Sequence, residues 1–137
     1  MKLIIILLYL LFSNAEEMPT IKIAQYKNNK PFILENINKK IVINFWATWC
    51  TSCIKEIDEL ERLKNNNPNV EFIAINAGDS KKKIKKFLKK HPWTYKILMD
   101  VDKSISKSLG VLSLPQTWVL DKKRTIIYKN TKPPSKI

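Results

Sequence analysis

Strand-like and helix-like patterns alternate along this 137-residue chain, which predicts an α/β fold with helices over the sheet faces and a terminal antiparallel hairpin. Three observations carry that prediction. Two nearly continuous apolar runs, Ile41 to Trp46 and Val70 to Ile75, read as strands buried on both faces. The segments that follow them place apolar residues at spacings of three and four, as helices do. The first run also gives way to Cys50-Thr51-Ser52-Cys53, a cysteine pair at a strand-to-helix junction.

The elements follow in order. Ile21 to Tyr26 alternates as a half-buried strand, and Asn28-Asn29-Lys30-Pro31 is a turn. Phe32-Ile33-Leu34 is a short second arm, and Asn36 to Lys40 is another turn. After the Ile41–Trp46 strand, a helix is predicted from Thr51 to Lys64, with Ile54, Ile57, Leu60 and Leu63 on one face. Glu56, Asp58 and Glu59 lie in its first half, and Asn65-Asn66-Asn67-Pro68 ends it. Gly78-Asp79-Ser80 breaks the next strand, and Ser80 caps a helix from Lys81 to about His91, stopped by Pro92. Tyr95 to Met99 is a third strand, and Asp102 to Leu109 is a short helix closed by Gly110. Thr117 to Leu120 and Thr125 to Lys129 pair around Asp121-Lys122-Lys123-Arg124.

Composition excludes several function classes. Two glycines leave no glycine-rich phosphate loop, and two cysteines with one histidine cannot alone complete a four-ligand zinc site. The formal charge of +13, nearly all from lysine, invites a nucleic-acid reading. The start of the chain argues against it. Met1-Lys2, the apolar run Leu3 to Phe12, and small residues at Ser13-Asn14-Ala15 form the three-part pattern of a secretory signal peptide. The alternative is an uncleaved membrane anchor, but a spanning helix needs about 20 apolar residues. The expected organisation is a signal peptide over residues 1–15 and one domain over 16–137, with 130–137 as a flexible tail. The expected location is periplasmic or otherwise extracytoplasmic, without nucleic-acid partners.

Outside the cytoplasm a disulfide can form and persist. Cys50 falls at the predicted helix N-terminus and Cys53 one turn further on the same side, a separation the two sulfurs can bridge. Free N–H groups and the helix dipole there favour thiolate over thiol at Cys50. Cys50, expected at the exposed end of the pair, is thus the candidate nucleophile and Cys53 the resolving thiol. The same residues admit half a metal site, a structural disulfide or two core cysteines. The missing ligands, the small entropy gain from so short a loop, and the strand-to-helix junction weigh against these in turn. No cofactor and no resident metal are expected.

The segment Val42-Ile43-Asn44-Phe45-Trp46-Ala47-Thr48-Trp49-Cys50-Thr51-Ser52-Cys53-Ile54-Lys55-Glu56 resembles the active-site segment of extracytoplasmic thioredoxin-like proteins of the TlpA/ResA/DsbE type. Gly110-Val111-Leu112-Ser113-Leu114-Pro115-Gln116-Thr117-Trp118-Val119-Leu120-Asp121 resembles that family's cis-proline loop and the strand after it. The resemblance implies a thioredoxin-like fold: a central mixed sheet flanked by helices, with an N-terminal β-hairpin extension. It implies a cis bond before Pro115, where residue types alone also admit an ordinary trans proline. The backbone of Leu114 would then lie beside Cys50 and pair with an extended substrate segment, with Trp49, Thr51 and Ser52 completing the substrate surface. Asn44 stands where cytoplasmic thioredoxins carry a buried aspartate. Glu56 stands where the resembling proteins often carry a glutamate near the thiols, which implies acid/base duty toward Cys53. The alternative is a surface glutamate paired with a lysine.

The chain departs from the family pattern in three places. Asp58 replaces a common proline, Lys122-Lys123-Arg124 lacks the usual glycine, and no helical periodicity follows Tyr128, where Pro133-Pro134 interrupts. A fold without the usual C-terminal helix leaves one sheet face short of cover, to be filled by a dimer, a partner or the N-terminal arms.

The resemblance implies thiol–disulfide exchange on partner proteins, as a reductant of the cytochrome c maturation or copper-site assembly type, re-reduced by a membrane electron-donor protein. Within the class, an oxidase or isomerase is the alternative. Outside it stands a non-enzymatic copper-binding or assembly-scaffold module, since soft thiolates suit copper(I). Lys81 to Lys90 reads as an amphipathic helix whose lysine face is either simply solvated or drawn to anionic membrane or an acidic partner.

Overall fold

The computed structural model describes residues 15–137; apart from Ala15, the leader expected over 1–15 lies outside the described residues. Among the described residues, seven strands and three α-helices follow in the predicted order. The strands are β1 (Lys22–Gln25), β2 (Pro31–Ile33), β3 (Ile41–Trp46), β4 (Glu71–Ala77), β5 (Lys96–Asp100), β6 (Gln116–Leu120) and β7 (Ile126–Asn130). The helices are α1 (Thr51–Asn66), α2 (Lys81–Lys90) and α3 (Ser104–Ser108), with a 3-10 turn at Leu34–Asn36. They build one mixed sheet in the order β2-β1-β5-β4-β3-β6-β7. β3, β4 and β5 are parallel; β1, β6 and β7 join antiparallel, and β1 with β2 forms the N-terminal hairpin on β5. No helix follows β7 among the described residues.

The two buried strands read from the sequence are the sheet centre. Every residue of β3 is buried, and β4 is buried from Phe72 onward, because helices or chain cover both of their faces. On one face Val42, Trp46 and Phe72 pack under Ile57 and Leu60 of α1 and Phe87 of α2. Trp46 stacks with Phe87 at 4.9 Å and meets Trp93 at 5.1 Å between ring centroids, so Trp93 is a packing residue. On the other face Ile43, Phe45 and Ile75 pack with Met18, Leu34 and Val111. Ser80 caps α2 as expected, its hydroxyl accepting from the Lys83 N–H at 3.2 Å. α1 runs uninterrupted to Asn66, two residues past the predicted end, and Asn67 closes it with its Nδ2 on the Leu63 carbonyl at 2.8 Å.

Part of the cover expected to be missing comes from within the chain. The Tyr128 hydroxyl donates to the Lys132 carbonyl at 2.6 Å, bending the last segment back, and Ile137 packs against the core cluster under α1. On the opposite face the N-terminal arm is pinned to the β6–β7 turn by Met18 N–H to the Arg124 carbonyl (2.9 Å) and Ile126 N–H to the Glu16 carbonyl (2.8 Å). Met18 and Ile21 are thereby buried. Of these two covers, the sequence reading named the N-terminal one.

Candidate active site

The disulfide forms at the point where β3 turns into α1. Cys50 is the N-cap of α1, extended at φ −84° and ψ 103°, and its Sγ accepts the Cys53 N–H at 3.2 Å. That contact is the one the sequence argument relies on: an orphan N–H of the first turn aimed at the sulfur, favouring charge there once the thiol is free. Cys50 and Cys53 are joined in a disulfide with Cα atoms 5.2 Å apart. The exposed end expected for Cys50 is not found in the oxidised protein: both cysteines are at most 5% exposed, because Leu114 and the core pack over them, whereas the neighbouring Trp49 is 68% exposed and Thr51 and Ser52 lie on the open first turn.

The cis-proline loop stands against this helix start. The Leu114–Pro115 bond is cis. Leu114 packs against the cluster that contains both cysteines, and Pro115 is buried. The loop leads directly into β6, which is locked to β3. Asn44 is buried and donates from Nδ2 to Thr117 Oγ1 (3.2 Å) and to the Gln116 carbonyl (3.3 Å). A residue that cannot titrate therefore serves as a polar tie between the strand that carries the cysteines and the strand that carries the proline.

One turn beyond Cys53, Glu56 has a partly buried carboxyl. Its Oε2 is shut from solvent and has no hydrogen-bond partner. Burial, then the neighbouring Glu59 charge, raises its pKa from 4.5 to about 7, while Lys132 pulls the other way. The Tyr128 phenol is pushed up as well, by burial and by Glu56 and Glu59, which places Glu56 on the side of α1 that meets β7 and the returning tail. No ion pair of Glu56 with a lysine occurs among the described residues.

One site residue escaped the sequence reading. Asp79, in the turn read only as a strand breaker, is 4% exposed and accepts from the Thr48 N–H (2.7 Å), Thr48 Oγ1 (2.9 Å) and Asn76 Nδ2 (2.9 Å). It clamps the loop that enters the cysteine motif. The acidic residue after a buried strand was the available signal. His91 packs on Phe87 at 4.9 Å and lines a groove with Thr48 and Ile54, and no group of three or more His, Cys, Asp or Glu side chains is placed to hold a metal among the described residues.

A cysteine pair closed at the first turn of a helix, faced by a cis-proline loop on a mixed sheet, defines a thioredoxin-like thiol–disulfide oxidoreductase. The chain belongs to the redoxin family, whose model it matches over residues 13–136. It is 31% identical to "Thioredoxin-like protein YneN" of Bacillus subtilis over 115 residues, covering 81% of this chain and 67% of that protein. It is 29% identical to "Thiol-disulfide oxidoreductase ResA" of Bacillus thuringiensis over 116 residues, covering 83% of this chain and 67% of that one. The chain thus spans about two-thirds of the length of these relatives. A crystal structure described as a thiol:disulfide interchange protein DsbE from Chlorobium tepidum superposes with a TM-score of 0.79 over 90% of this chain and 89% of that one. At 16% identity that likeness speaks to the fold alone.

Proposed function

We propose that this chain is an extracytoplasmic reductant of partner-protein cysteines, of the kind used in cytochrome c maturation or copper-site assembly. The observation that carries the reading is the Cys50–Cys53 disulfide at the start of α1 beside cis-Pro115. The leader-like residues 1–15 and the likeness to ResA-type proteins support the location and the direction.

In the reduced protein the Cys50 thiolate, favoured by the helix N-terminus, attacks a partner disulfide and forms a mixed disulfide. The partner segment lies along the backbone of half-buried Leu114 as an added strand, with Trp49, Thr51 and Ser52 around it. Glu56, poised near neutrality, takes the proton from Cys53. The Cys53 thiolate then attacks Cys50 Sγ, closing the intramolecular disulfide and releasing the partner as a dithiol. Two electrons and two protons pass to the partner in each cycle, and a membrane electron-donor protein restores the dithiol.

Equilibration in defined glutathione or dithiothreitol buffers tests the direction. A potential nearer to thioredoxin's, about −270 mV, is expected; one near the strong oxidant DsbA's, about −120 mV, would assign the opposite direction.

A further inference from the structure

Beside the disulfide, Trp49 and the cis-proline loop form the walls of a groove of about 250 Å³ that α3 closes at one end. Trp49, Val111, Leu112 and Leu114 line it together with Lys103 and Lys107. Trp49, the residue before Cys50, is 68% and Leu112 87% exposed, which leaves two large apolar side chains of this groove in water.

The backbones of both lysines are fixed by the fold, while their side chains are exposed. Lys103 has left-handed backbone (φ 62°) at the start of α3, and its N–H donates to the Asp100 carbonyl at 3.1 Å. Its stem lies across Gly78, where a β-carbon would collide with Cε, and Gly78 itself sits at φ +95°. The Lys107 N–H donates to the Lys103 carbonyl at 2.9 Å. Neither ammonium is in an ion pair among the described residues. The nearby Asp102 carboxylate accepts the Ser104 N–H at 3.0 Å, and the Lys107 charge adds a smaller pull that helps lower its pKa.

We propose that this groove selects partner segments carrying acidic side chains next to their cysteine, an apolar neighbour lying against Trp49 and Leu112 while Lys103 and Lys107 take the carboxylates. The inference rests on the reductase reading and adds a substrate class to it. A narrow cleft with an apolar wall beside the disulfide suits an extended polypeptide better than a flat lipid surface. Charge complementarity then sets the rate of encounter and the choice of partner. The chemistry is unchanged: the protein dithiol becomes a disulfide as the partner's disulfide becomes a dithiol, with two electrons and two protons transferred.

The test uses the reduced full chain and two peptides with the same internal disulfide, flanked by aspartate in one and lysine in the other. Reduction rates are measured at low and high salt. The aspartate peptide is expected to react roughly tenfold faster at low salt, with the gap narrowing at high salt. The double variant Lys103→Glu/Lys107→Glu is expected to reverse the preference, and Lys103→Gln/Lys107→Gln to erase it; thermal unfolding verifies that each is folded. Equal rates for the two peptides, or a preference that survives both variants, would overturn the proposal. So would pelleting with phosphatidylglycerol vesicles that depends on these lysines while peptide preference does not. Small neutral hydroxyethyl disulfide is the separate control on the wild type: no reaction with it would overturn the reductase reading itself.

Discussion

Asp79 grips Thr48 with both carboxylate oxygens, Oδ2 on the backbone N–H at 2.7 Å and Oδ1 on the side-chain hydroxyl at 2.9 Å. The turn after β4 is thereby fastened to the loop that delivers Trp49 and Cys50. Bonds to a buried charged acceptor are stronger than neutral ones, and their donors are left unpaired when it is removed. Asp79→Ala is expected to cost about 2–4 kcal/mol in denaturant unfolding. It should also slow thiol–disulfide exchange, because the loop before Cys50 loses its anchor. A cost within the ordinary range of surface substitutions would show that the clamp carries no weight.

Glu56 gives the oxidised protein a distinctive pH dependence. Its folded pKa of about 7 lies above the value of 4.5 for a free carboxyl. Between those values the folded state binds more protons than the unfolded chain, so stability is highest below the window and falls as pH rises through it. Partial exposure screens the effect, and the expected loss is about 1–2 kcal/mol. Urea midpoints of the oxidised protein across this window read it out. In Glu56→Gln the fall should vanish and the alkaline side should be the more stable for it.

Lys132 opposes the rise in the Glu56 pKa from the returning tail. Lys132→Gln should therefore move the Glu56 titration to higher pH, followed by NMR of the side-chain carboxyl. An unchanged titration would mean that the tail does not stand near Glu56 in solution.

The tail also carries apolar cover. Removing residues 131–137 takes Ile137 off the core cluster and frees the Tyr128 hydroxyl from the Lys132 carbonyl. A stability loss of about 1–2 kcal/mol is expected, together with more self-association in sedimentation than for the full chain at the same concentration.

Much of this arrangement could be read before any coordinates. The apolar runs at β3 and β4 and the three-and-four spacing of Ile57, Leu60 and Leu63 report burial directly, because continuous strands and amphipathic helices write their environment into residue type. Cys50 and Cys53 were legible for the same reason: their meaning lies in spacing and in the strand-to-helix junction. What stayed hidden depends on contacts between distant segments. Asp79 reads as a turn residue until Thr48 is seen against it. Lys103 reads as one lysine among many until its stem is seen across Gly78. The tail has no periodicity, so its cover over the sheet could not be foreseen; a single residue, Ile137, supplies the apolar contact. Glu56 is intermediate, since its position beside the apolar stripe of α1 hints at burial but not at its extent.

The central claim is that Cys50 attacks and Cys53 resolves. It is tested most directly by mixing reduced Cys53→Ser protein with a peptide disulfide and analysing the quenched product by mass spectrometry. A stable mixed disulfide mapped to Cys50 is expected, absent from the wild type and from Cys50→Ser. A mixed disulfide on Cys53 in the Cys50→Ser protein, formed as fast as that on Cys50, would contradict it.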